Sequence, residues 1–127
     1  LHFAYNQLTS INVSSNTLLS SLRCDGNALT ELDVTLCTNL TDLTCCENQM
    51  NSLNLLHNEN LTYLHCGNQV NAEGDMLQLT LYLADSLKEL WRSDWMYESN
   101  NVNVIVDGIT TTLPGNSGSD FEDGGKY

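Results

Sequence analysis

Hydrophobic and polar positions recur along the first part of the chain in one phrase, LxxLxLxxNxL. Leu19, Leu22, Cys24, Asn27 and Leu29 fill it, as do Leu40, Leu43, Cys45, Asn48 and Met50. Leu61, Leu64, Cys66, Asn68 and Val70 fill it again, with one residue missing before the asparagine. Asn6 opens the series in LHFAYNQL at 1–8, so the asparagines fall 20 or 21 residues apart. A fixed period of this length predicts a solenoid, each repeat forming one coil stacked on the next. Within the phrase, Leu-x-Cys alternates with period two and reads as a short, half-buried strand. Leu43 and Cys45 then point inward, and Asp42, Thr44 and Cys46 outward. The spacing predicts parallel front strands near 20–24, 41–45 and 62–66, with Leu22, Leu43 and Leu64 in one column.

The asparagine ends each strand. Its amide carries donors and an acceptor, which can satisfy turn backbone groups that stacking would otherwise bury unpaired. Asn6, Asn27, Asn48 and Asn68 are therefore expected to form a structural ladder. Cys24, Cys45 and Cys66 share one inward position, with Phe3 at the same place in the first coil. They are expected to be unbridged core thiols, acting as small hydrophobes. Cys37 falls on the back of its coil, and Cys46 is expected to face solvent and to be the reactive thiol.

A second pattern marks the back of each coil. Ile11-Asn12-Val13, Leu32-Asp33-Val34 and Leu53-Asn54-Leu55 recur at spacings of 21. The segments that follow, such as SSNTL and TLCTN, are poor helix formers, which predicts short strands or turns behind. Residues 75–91 allow two readings. Leu79, Leu83, Leu87 and Leu90 lie on one helical face, which suits a capping helix. Leu79-Thr80-Leu81 can instead match Leu53-Asn54-Leu55, with 71–75 as an insertion in the fourth coil and 86–90 opening a degenerate fifth. VNVIV, Asp107-Gly108 and ITTTL read as a hairpin over 102–113 that caps the stack. Residues 114–127 have the composition of an acidic, Gly/Ser-rich tail or linker. The organisation expected is a solenoid over 1–101 of about five coils, the hairpin cap and the tail. The chain begins within a repeat, so further coils are expected upstream, and Leu1, Phe3 and Leu8 form an uncapped edge open to self-association.

The repeated phrase over about 1–91 resembles the leucine-rich repeats of bacterial secreted and cell-surface proteins, the internalin-like family among them. The resemblance implies a right-handed, β-rich leucine-rich repeat solenoid with a parallel front sheet and few helices. It also implies a secreted or surface protein that binds a protein, such as a host surface protein, or a glycan through its front strands, in an adhesion role. The alternative is a structural repeat scaffold within a larger surface protein whose functional domain lies outside this chain.

Charge narrows the partners. Sixteen acidic residues against four basic give a formal net charge of −12. That excludes nucleic acid, which demands a basic face, and anionic membrane surfaces. No apolar run reaches the ~20 residues of a membrane helix. The cysteines and histidines lack paired metal-ligand spacing. Cys46 and His65 can approach on adjacent coils, but nothing nearby orients the histidine as a base. Asp120, Glu122 and Asp123 lack the spacing of a calcium loop. No enzyme, metal or cofactor is expected. Candidate ligand-binding residues are the outward positions of the front strands. One column holds His2, Arg23, Thr44 and His65, another Ser21, Asp42, Tyr63 and Glu89, and a third Ala4, Asp25, Cys46 and Gly67. Trp91 lies beside the expected fifth strand. Tyr and Trp are enriched where partners bind, so Tyr63 and Trp91 are the expected anchors.

Overall fold

The structure, a computed structural model, describes residues 1–91, 101–106 and 112–113. Strands β1 (Ser21–Arg23), β2 (Asp42–Thr44) and β4 (Tyr63–His65) stack in parallel as the front sheet, in the order β1-β2-β4. Leu22 faces Leu43 and Leu43 faces Leu64, the register that a period of 21 requires. The first coil joins through a bridge between His2 and Arg23, with Phe3 N–H donating to Arg23 O at 2.6 Å and Arg23 N–H to Leu1 O at 2.9 Å. The inward columns Leu22, Leu43, Leu64 and Cys24, Cys45, Cys66 are all fully buried. Each buried leucine stabilises the stack by about 1.5–3 kcal/mol. All five cysteines are free thiols.

Each coil leaves the front sheet through a left-handed residue: Tyr5 (φ 56°), Gly26 (70°), Glu47 (58°) and Asn68 (56°). The next residue carries the ladder amide. Asn27 Nδ2 donates to Cys24 O and, across the coil boundary, to Phe3 O, both at 2.9 Å, while its Oδ1 accepts from Leu8 N–H at 3.1 Å. Asn48 repeats the pattern on Cys45 O, Cys24 O and Leu29 N–H. In the fourth coil the ladder residue is Gln69, not Asn68. Its Nε2 donates to Cys66 O at 3.0 Å and Cys45 O at 2.9 Å, and its Oε1 accepts from Met50 N–H at 3.0 Å. Asn68 takes the left-handed turn, which asparagine adopts more readily than most residues. No residue is missing from this coil; the period stays 21 and a longer amide does the same work. Asn6, in the first coil, is exposed, and among the described residues its amide bonds within its own coil, to Phe3 O and Ala4 O.

The back of each coil is built from local turns. Asn12, Asp33 and Asn54 each accept a backbone N–H two residues on through Oδ1, from Ser14, Thr35 and Leu56, as Asx turns do. A second ladder runs beneath them. Asn58 Nδ2 donates to Val34 O and Cys37 O, and Cys37 Sγ reaches the equivalent Val13 O and Asn16 O at 3.6 Å. Cys37 therefore stands in for an amide.

Paired back strands begin only in the third coil. β3 (Ser52–Leu55) pairs in parallel with β5 (Leu79–Leu83), and β5 with β6 (Val102–Val106). Segments 11–13 and 32–34 form no strand. The register corrects the expected match by two residues: Leu53 faces Leu81 and Leu55 faces Leu83, so Leu79 lies opposite neither. A period-two pattern is unchanged by a shift of two, so pairing alone selects between them. The surplus length is absorbed at 71–75, a turn that Asn71 closes by accepting from Glu73 N–H and Asp75 N–H.

No fifth front strand opens at 86–90. A 3-10 turn at Asp85–Leu87 and an α turn, α1 (Lys88–Leu90), occupy that segment. The strand reading holds over 79–83 and the helical reading over 85–90. Leu87 and Trp91 are buried in the core. β7 (Thr112–Leu113) runs antiparallel to β6. The expected tight turn at Asp107-Gly108 and the tail at 114–127 lie outside the described residues.

Candidate ligand-binding face

The front sheet brings the outward columns together as their register requires. Ser21, Asp42 and Tyr63 lie side by side, as do His2, Arg23, Thr44 and His65. Arg23 and Asp42 are exposed, Tyr63 is 43% exposed and His65 half-buried. Thr44 is buried at 7% exposure between Arg23 and His65 on the neighbouring strands, so it floors the face. The Tyr63 and His65 rings stand 4.8 Å apart, tilted by 38°, with the Tyr63 hydroxyl 3.3 Å from His65 Nε2.

Two expected members are elsewhere. Trp91 is completely buried, because the helical turn before it directs its ring into the core rather than along a front strand. Glu89 is exposed, but on that same turn, out of register with Asp42 and Tyr63. In their place the structure adds Tyr5 and Glu47 from the turns that leave the sheet. A groove of about 490 Å³ crosses the face. Its lining includes Arg23, Asp42, Tyr63 and His65 from the strands, and Tyr5, Asp25, Cys46 and Glu47 from the segments that follow them. Tyr5 is 68% exposed and its hydroxyl donates to Glu47 Oε1 at 3.4 Å. Its ring lies over Gly26, where any Cβ would strike it. The sequence carried a signal for this: Tyr5, Gly26, Glu47 and Asn68 also recur every 21 residues, but their side chains have nothing in common.

Electrostatics around the groove are one-sided. The Glu47 and Asp25 carboxylates raise the Tyr5 hydroxyl above its ordinary pKa. Burial, then Asp25 and Glu47, pushes the Cys46 thiol up to about 11, with Arg23 pulling the other way. Burial and Asp25 push Cys24 to about 12. A thiol attacks as its thiolate, so Cys46, half-buried rather than facing solvent, is held protonated at neutral pH. Asp25 itself is 4% exposed, and its Oδ1 is buried with no hydrogen-bond partner. Among the described residues no group of three or more His, Cys, Asp or Glu side chains is placed to hold a metal ion.

No protein-family profile and no curated protein sequence matches this chain. One solved structure does. It is the functional domain of InlJ from Listeria monocytogenes, described as including a cysteine ladder. The two are 27% identical, with a TM-score of 0.49, over 61% of this chain and 23% of that one. This chain thus spans under a quarter of that structure's length. The leucine-rich-repeat-like solenoid rests on the strand register and the amide ladder described above, not on this likeness. No helix among the described residues is long and apolar enough to cross a membrane.

Proposed function

We propose that this chain is a non-catalytic protein-binding repeat module, acting at a cell surface or in secreted form, and that its partner docks on the front strand face. The observation that supports this best is the division of labour within the front strands. Leu22, Leu43 and Leu64 are committed to the core, while Arg23, Asp42 and Tyr63 stand outward from the same strands with no structural duty as heavy. A rigid sheet that holds an exposed aromatic among charges is a docking surface with little ordering cost. The extracellular placement follows the resemblance of the repeat to bacterial surface proteins.

The test is a screen of the chain against arrays of surface proteins and glycans, followed by variants of each face. Tyr63→Ala and Asp42→Ala are expected to weaken the binding found by roughly 1–3 kcal/mol each. Asp33→Asn on the back is expected to leave it unchanged, because Asn12 and Asn54 fill the equivalent Asx turn. Binding that survives both front variants and fails in the back variant would place the functional face on the other side. No binding to any arrayed protein or glycan would favour a scaffold role within a longer protein.

A further inference from the structure

We propose that the front groove is a receptor for a cationic side chain, an arginine of the protein partner, with Asp25 as the buried counter-charge. The proposal rests on the front-face reading and names the chemistry that face recognises. Three carboxylates, Asp25, Asp42 and Glu47, line the groove against one guanidinium, that of Arg23. Asp25 is the telling member. It lines the groove, is 96% buried and leaves Oδ1 with no partner. Arg23, two residues away, makes no ion pair with it among the described residues. A buried carboxylate oxygen without a partner is costly and is ordinarily matched by a donor. That oxygen is closed to solvent, so a cation in the groove is held by the buried charge of Asp25 rather than by a bond to Oδ1.

The rest of the groove suits a guanidinium better than a neutral or anionic group. Tyr5 lines the groove with an exposed ring, held in place by Gly26 below and Glu47 beside it. A planar guanidinium stacks on such rings and donates in a fork to carboxylates, which an ammonium does less well. The net charge of −12 steers a basic partner toward the chain from a distance.

The experiment is an amide-resolved NMR titration of the whole chain with an acetylated, amidated Gly-Gly-Arg-Gly-Gly peptide. A citrulline peptide of the same length, which is isosteric and uncharged, is the comparison. Saturable shifts are expected at Tyr5, Asp25, Gly26 and Glu47, at about millimolar affinity for one captured side chain. The citrulline peptide is expected to bind at least about tenfold more weakly. Asp25→Asn, which keeps the shape and removes the charge, is expected to weaken the arginine peptide by a similar factor, and so is the exposed variant Glu47→Gln. Asp33→Asn, which removes one charge from the back, keeps the affinity. Equal shifts with arginine and citrulline peptides, or shifts that Asp25→Asn and Glu47→Gln leave intact, would overturn the proposal. If an array hit binds through Tyr63 while the arginine peptide does not bind, the cation receptor fails and the front-face reading stands. If the hit ignores Tyr63 and Asp42 as well, both fail.

Discussion

In the front sheet, Leu22, Leu43 and Leu64 face one another at a constant step of 21 residues, on strands only three residues long. In the back sheet, Leu53 pairs with Leu81 and Leu81 with Val104, at unequal steps, and β5 and β6 are five residues long. The front is held by amides. Asn27, Asn48 and Gln69 each bridge their own strand end to the preceding coil, and a side chain of fixed length tolerates no change of step. The back is held by strand hydrogen bonds and apolar burial, which need only the right face inward. Surplus residues can then be put aside in turns such as 71–75. One sheet fixes the period and the other absorbs departures from it. That is why the front sheet is regular and the departures from the period gather on the back.

The largest test of this contrast sets Trp91 against Tyr63. Both are aromatic and both suggest anchors from sequence, but one follows the helical turn and one stands on the front sheet. Trp91→Ala removes a fully buried ring and is expected to cost about 3–5 kcal/mol in urea unfolding. Trp91→Phe should cost less, because it also removes the buried Nε1 that has no partner. Tyr63→Ala, at a half-exposed site, should cost under about 1 kcal/mol. Equal losses from the two alanine variants would mean that the helical turn does not seat Trp91 in the core.

The ladder comes next in size. Asn48→Ala strands Cys24 O, Cys45 O and Leu29 N–H, and is expected to cost about 3 kcal/mol. Gln69→Ala should match it, since its amide serves the same groups one coil on. Asn68→Gly, in the left-handed turn, should cost under about 1 kcal/mol. A reversal, with Asn68 the costly position, would restore a 20-residue fourth coil and break the constant step.

What was legible in the sequence follows the same division. Wherever one residue type repeats at one spacing, as with Leu22, Leu43 and Leu64, register and facing could be read directly. The ladder departs from the asparagine pattern at one place, where Gln69 performs the asparagine's task beside Asn68. Holding the step at 21 would have selected position 69. The second ladder, Cys37 and Asn58, was hidden because a thiol and an amide fill one position. Leu79, Leu81 and Leu83 defeat pattern reading for a different reason, since an alternating strand looks the same after a slip of two. Trp91 was misplaced because the period fails after Leu83. A helical turn then sets its direction, and the spacing of Leu83, Leu87 and Leu90 was the available signal. Within the groove, Tyr5 and Glu47 come from the turn between strand and ladder, where side chains vary without pattern from coil to coil, while Asp25 follows the outward column of Ala4 and Cys46 but is buried.

The smallest expected effect lies in the thiols of the front side, and it is read by pH. Cys46 is raised from 9.0 to about 11 and Cys24 from 9.0 to about 12, both first by burial. A group raised in the folded state favours folding while it is protonated in both states. Its contribution is complete below pH 9, and it falls as the pH rises toward 11 and 12, where the unfolded chain ionises first. Urea midpoints are therefore expected to be flat in this respect up to about pH 8.5 and to decline above pH 9. At pH 8 the Cys46 thiolate fraction should be roughly 100-fold below that of an ordinary cysteine, so iodoacetamide should modify it correspondingly slowly. Asp25→Asn should speed that reaction only in part, because burial precedes the Asp25 charge among the causes. Labelling of Cys46 at pH 8 as fast as a free thiol would show that the groove is open around it. In that case the turn side of the front face would be less closed than its burial implies, and the contrast between a rigid front and an accommodating back would weaken there first.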